Sequence, residues 1–107
     1  MPQYLFQGSY TAAAWASLSR KPQNRTKVVQ AVVKKLGGEL EGFWLTLGEH
    51  DFVGLVRLPN PVNAAALSIA AMAGGAIASF KTTALMSVPD GLKAMGLAGR
   101  IGYQPPK

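Results

Sequence analysis

A chain of 107 residues, 49% hydrophobic and 15% charged, is long enough to bury one core and too apolar to stay disordered. It has no cysteine, which excludes a disulfide framework, thiolate catalysis and cysteine metal sites. The formal charge of +6 raises nucleic acid as a partner, but Arg20, Lys21, Arg25, Lys27, Lys34 and Lys35 carry it locally and the remaining charges balance.

Residues 3–9 alternate as a first strand, with Tyr4, Phe6 and Gly8 on one face and Leu5 and Gln7 on the other. Residues 11–19, rich in alanine, suit a short helix capped by Thr11, and Pro22 breaks the chain's pattern after it. From 24 to 36 the period is helical: Val28, Val29, Val32, Val33 and Leu36 form one stripe, with Lys27 and Lys34 opposite. Gly37-Gly38 end that helix. The basic run is therefore read as a solvated helix face.

Two apolar runs, 39–47 and 51–58, flank Gly48, Glu49 and His50 and predict a β-hairpin. Their alternation sets Phe43, Leu45 and Leu47 against Leu40, Trp44 and Thr46, and Val53 and Leu55 against Phe52, Val56 and Leu58. Residues 58–80 carry no charge, yet Pro59, Pro61 and Gly74-Gly75 confine any continuous helix to about 61–73, too short to span a bilayer. In that helix Val62, Ala65, Ala66, Ile69 and Ala73 are taken as the inward stripe. A last strand occupies 76–88, then a short helix around 91–97 and an extended tail.

This order predicts an α+β, ferredoxin-like split βαβ fold (βαββαβ), with a four-stranded antiparallel sheet and both helices on one face. The boundaries are 1–95 for a single domain and 96–107 for the tail. No secretory leader is evident at the N-terminus, and a cytoplasmic location is expected. Strands apolar on both sides leave one sheet face uncovered, so a homodimer or higher oligomer through that face is expected; the other reading folds the tail and residues 12–18 over it.

The hairpin turn gathers His50 and Asp51, the sequence's one imidazole beside a carboxylate. Such a pair suits proton transfer, so both are candidate catalytic residues, although plain turn chemistry explains them as well. No second histidine exists to complete a metal site, and neither metal nor cofactor is expected. Arg25 projects with the valine stripe instead of the lysines, where a guanidinium can clamp a carboxylate or phosphate, or pair with Asp51 or Glu49. Arg25, His50, Asp51 and Thr83 are the candidate ligand-binding residues, and Gly8, Gly42 and Gly54 are read as thinning the sheet to admit a ligand. Pro2 is a weaker candidate, as an N-terminal amine base. Nucleic acid is not expected as a partner, because DFVGLVRL lacks the basic–Gly–aromatic pattern of RNA-recognition strands.

The opening PQYLFQGSYT, Arg25 ahead of a helix ending at Gly37-Gly38, the segment FWLTLGEHDFVGLVRLP, the uncharged NAAALSIA and the late KTT together resemble the GYD family of small bacterial proteins. The resemblance covers about 1–88. It implies a ferredoxin-like, oligomer-forming α/β fold, of the dimeric α/β-barrel kind, and no particular activity. Where the family usually has tyrosine this chain has His50, with Gly48 and Asp51 kept. The expectation is a homo-oligomeric domain that binds a small anionic or aromatic molecule between sheet and helix or between subunits. The alternative is a cofactor-independent monooxygenase- or isomerase-like enzyme using His50 and Asp51.

Overall fold

A computed structural model describes residues 1–107. The elements are β1 (Gln3–Tyr10), α1 (Ala12–Arg20), α2 (Thr26–Lys35), β2 (Glu39–Leu45), β3 (Phe52–Arg57), α3 (Pro61–Ala73), β4 (Ile77–Leu85) and α4 (Val88–Arg100). The four strands form one antiparallel sheet in the order β2-β3-β1-β4, the ferredoxin-like arrangement expected. No helix is long and apolar enough to cross a membrane.

Local chemistry sets the helix limits. Thr11 Oγ1 accepts from Ala14 N at 3.1 Å and starts α1. Asn60 Oδ1 accepts from Asn63 N at 3.0 Å, with Pro61 in the first turn of α3. The α2 C-terminus closes through Gly37, whose φ of 78° suits glycine, and Gly38 N donates to Val33 O at 3.0 Å. Asn63 Nδ2 then donates to Leu36 O at 2.7 Å, tying α3 to the end of α2.

The core lies between the sheet and helices α2 and α3. Tyr4 and Phe6 of β1, Phe52 and Val56 of β3, Leu58, Val33 of α2, and Ala64 and Leu67 of α3 make up its buried cluster. Period-two alternation holds in β1 and β3. In β2 it fails: the register against β3 shifts between Leu40 and Gly42, so Glu41 is the extra residue of a bulge. Leu40 and Phe43 therefore share the helix-covered face, Leu40 opposite Val56 and Phe43 opposite Gly54, and do not oppose each other as strict alternation implied.

The inward stripe expected for α3 is also reversed. Ala64 and Leu67 are buried, whereas Val62 and Ile69 are 75% and 68% exposed. A helix apolar all round carries little amphipathic information, so its orientation is decided by packing against the sheet. At the C-terminus α4 runs to Arg100, so the extended tail starts after it and not at 96. No residue of α4 is buried, and the molecule measures 58 × 34 × 23 Å.

The sheet face away from the helices carries Leu5, Val53, Leu55, Trp44 and Leu85, with Trp44 54% exposed. Across it Arg57 Nε lies 3.3 Å from Glu41 Oε1, and Gln3 Nε2 donates to the same oxygen at 2.8 Å. Neither α1 nor the C-terminal residues cover this face: α1 packs on the helix side, against β1.

Candidate functional site

The helix-covered side of the sheet is not filled. A cavity of about 650 Å³ lies there, in the usual range of small-molecule sites. The sheet contributes Phe6, Phe43, Phe52 and Phe80 to it, α2 contributes Val28, Val29 and Val32, α3 contributes Ala70 and Ala71, and α1 contributes Ala13 and Ala14. The rings form one cluster: Phe6 stacks on Phe80 with centroids 5.3 Å apart, and Phe43 meets Phe52 at 5.8 Å.

Arg25 is the one charged residue in this lining, with Tyr10, Thr11, Ser17 and Gln23 as the polar side chains. It occupies the N-cap position of α2, half-buried, and its carbonyl accepts from Val28 N and Val29 N, both at 3.1 Å. The backbone therefore fixes where its side chain starts. Its Nη1 donates to Gln23 Oε1 at 3.0 Å. The single ion pair of the chain is Arg57–Glu41 on the opposite sheet face, so Arg25 has no carboxylate partner. A guanidinium with free donors at the edge of an apolar cavity has the chemistry to clamp a carboxylate or phosphate.

Tyr10 closes the same wall, its ring 5.1 Å from Phe52 and 5.2 Å from Trp15. Burial raises its phenol above the ordinary tyrosine value; Arg25 offsets this and Asp51 adds to it. The phenol is thus a neutral hydrogen-bond donor at physiological pH.

Of the four residues expected to bind a ligand, Arg25 alone lines the cavity. Asp51 acts as a latch. Its Oδ2 accepts from Tyr10 N at 2.9 Å and Trp15 Nε1 at 3.1 Å, while Asp51 N donates to Gly8 O at 2.7 Å. These bonds join the hairpin to the end of β1 and to α1. His50 accepts from Thr46 Oγ1 at 2.6 Å through its carbonyl, and its buried Nδ1 has no partner. Thr83 stands opposite Leu5 on the uncovered face; the pleat gives the helix side to Thr82, opposite Phe6.

The strand glycines open no space for a ligand. A side chain at 54 would meet the Phe6 ring and one at 8 the Phe52 ring, while the Trp44 ring fills the place beside Gly42. The close approach serves the chain's own aromatics. Tyr10 is the site residue that sequence reasoning misses, because a first strand ending at 9 leaves it out. Carrying the alternation one step further puts Tyr10 on the face of Phe6 and Gly8.

The GYD domain family model matches residues 4–95. The chain belongs to the GYD-domain family. No curated protein matches it. The matched span of this GYD domain takes in the whole sheet apart from Gln3, all the cavity-lining elements and the first half of α4. His50, the residue read as replacing the family's tyrosine, lies outside the cavity lining.

Proposed function

We propose that this GYD domain is a small homo-oligomeric binding protein whose ligand is a small, mainly apolar anion, aromatic in the simplest case, held between the sheet and the helices. The observation that carries the reading is the pairing of an aromatic-walled cavity with a single charged residue, Arg25, that no carboxylate neutralises. An apolar body gains by leaving water against Phe6, Phe43, Phe52 and Phe80. One anionic group satisfies Arg25, with Tyr10 as a second donor. A multiply charged ligand would bring further charges against apolar walls, at a desolvation cost nothing there offsets.

Self-association rests on the uncovered sheet face. Leu5, Val53, Leu55 and Trp44 form an apolar surface of the kind a partner sheet covers. The reading as a cofactor-independent enzyme working through His50 and Asp51 has weaker support. Asp51 Oδ2 is committed to Tyr10 and Trp15, and neither His50 nor Asp51 lines the cavity.

Native mass spectrometry of the freshly purified protein tests both halves together. The expected result is an oligomer with one small anion retained per subunit, absent from a cavity-filling Ala71→Phe variant. A ligand-free monomer would contradict both.

A further inference from the structure

Helix α4 is built as a helix and then left without a partner. Ser87 Oγ accepts from Asp90 N at 3.2 Å, Pro89 lies in the first turn, and Asp90 and Arg100 stand at the ends where their charges suit the helix dipole. Yet Val88, Leu92 and Met95, one stripe at i, i+4 and i+7, are 77%, 61% and 68% exposed. A helix of 13 residues that includes Gly91, Gly96 and Gly99 does not hold itself together in water. Something must cover its apolar side.

The dimensions of the chain indicate what. Its radius of gyration is 17.3 Å, against about 13 Å for a compact chain of this length. Its accessible surface is 7527 Å², against about 5,700 Å² for a folded monomer of this mass. An excess of about 1,800 Å² per chain is of the size that obligate homodimers bury on each subunit. The stripe also continues through the exposed Met86 to Leu85, which lies on the uncovered sheet face.

We propose that α4 is an exchange arm, its Val88, Leu92 and Met95 packed on a second copy of this chain. This rests on the homo-oligomer reading above and names the element that completes the interface. The arm and the uncovered sheet face then belong to one self-complementary surface.

The absence of cysteine makes the test direct. Met95→Cys places a thiol on the stripe, and Lys93→Cys places one on the opposite side of the same helix. Each is labelled with a maleimide dye at micromolar protein, with the subunit count read by native mass spectrometry. The Met95→Cys thiol is expected to react at least tenfold more slowly than the Lys93→Cys thiol, and to lose that protection in a Trp44→Glu background that dissociates the oligomer. The paired substitution Leu92→Glu, Met95→Glu is expected to weaken self-association at least a hundredfold. An oligomer that survives this pair unchanged, while Trp44→Glu dissociates it, overturns the arm and leaves the homo-oligomer reading standing. A wild-type monomer overturns both. In that case a protected thiol would mean that the helix packs on its own body, and an equally reactive pair that it packs on nothing.

Discussion

Arg25 Nη1 donates to Gln23 Oε1 at 3.0 Å, and that neutral amide takes the place a carboxylate would fill beside a structural arginine. The charge is held at the cavity edge by a partner that leaves it uncompensated. Lys34 has no such position: it lies exposed near the end of α2 and lines no part of the cavity. Arg25→Ala is therefore expected to weaken 2-naphthoate binding at least tenfold, and Lys34→Ala to leave it within twofold, in a fluorescence titration at fixed ionic strength. Equal losses would mean general surface electrostatics.

The Asp51 latch makes a stability prediction separate from binding. Asp51→Ala removes the acceptor for Tyr10 N and Trp15 Nε1, and is expected to lower the unfolding free energy by about 2 kcal/mol. Asp51→Asn should lose less, because an amide oxygen in the place of Oδ2 still accepts from both donors, without the charge. Trp15→Phe should add little in the Asp51→Ala background, since both remove the same bond. Urea unfolding of these three variants and of Trp15→Phe alone checks the set.

Gly54 carries a packing prediction. A methyl group there collides with the Phe6 ring, which is 2% exposed and packed with Phe43, Phe52 and Phe80. Gly54→Ala is expected to destabilise by about 1–3 kcal/mol. In a Phe6→Leu background the same change should be milder, a non-additivity readable by thermal unfolding.

Tyr10 sets a pH dependence. Its phenol is raised in the folded state, mainly by burial, so the folded chain keeps a proton that the unfolded chain loses near the ordinary tyrosine value. That contribution to stability is complete below about pH 10 and is lost as pH rises through the folded value. Tyr10→Phe should flatten the fall in melting temperature between about pH 9 and pH 11, relative to wild type. An unchanged slope would show that the phenol is not buried in solution.

The strand and helix order could be read because β1 and α2 each have one clearly apolar side, and because the apolar runs of β2 and β3 flank Gly48, Glu49 and His50. Helix α3 has none, and only contact with the sheet decides that Leu67 goes in and Ile69 out. The bulge at Glu41 could not be read either, because a single extra residue leaves composition unchanged while it moves Leu40 onto the face of Phe43. At the site, Arg25 was legible from helical projection. His50 and Asp51 drew attention by chemical type, but a turn directs neighbouring side chains apart, and theirs do not reach the cavity. The glycines were legible as close approaches, but which ring fills each gap depends on strand register.

The most direct test compares 2-naphthoate with the neutral 2-naphthamide, by calorimetry, on wild-type protein and on Arg25→Met. The wild type is expected to prefer the carboxylate at least tenfold, and Arg25→Met to bind both alike with its affinity for the amide unchanged. A carboxylate preference that persists without the guanidinium would contradict Arg25 as the anchor. Failure of both compounds to bind the wild type would contradict the cavity as a site for aromatic anions.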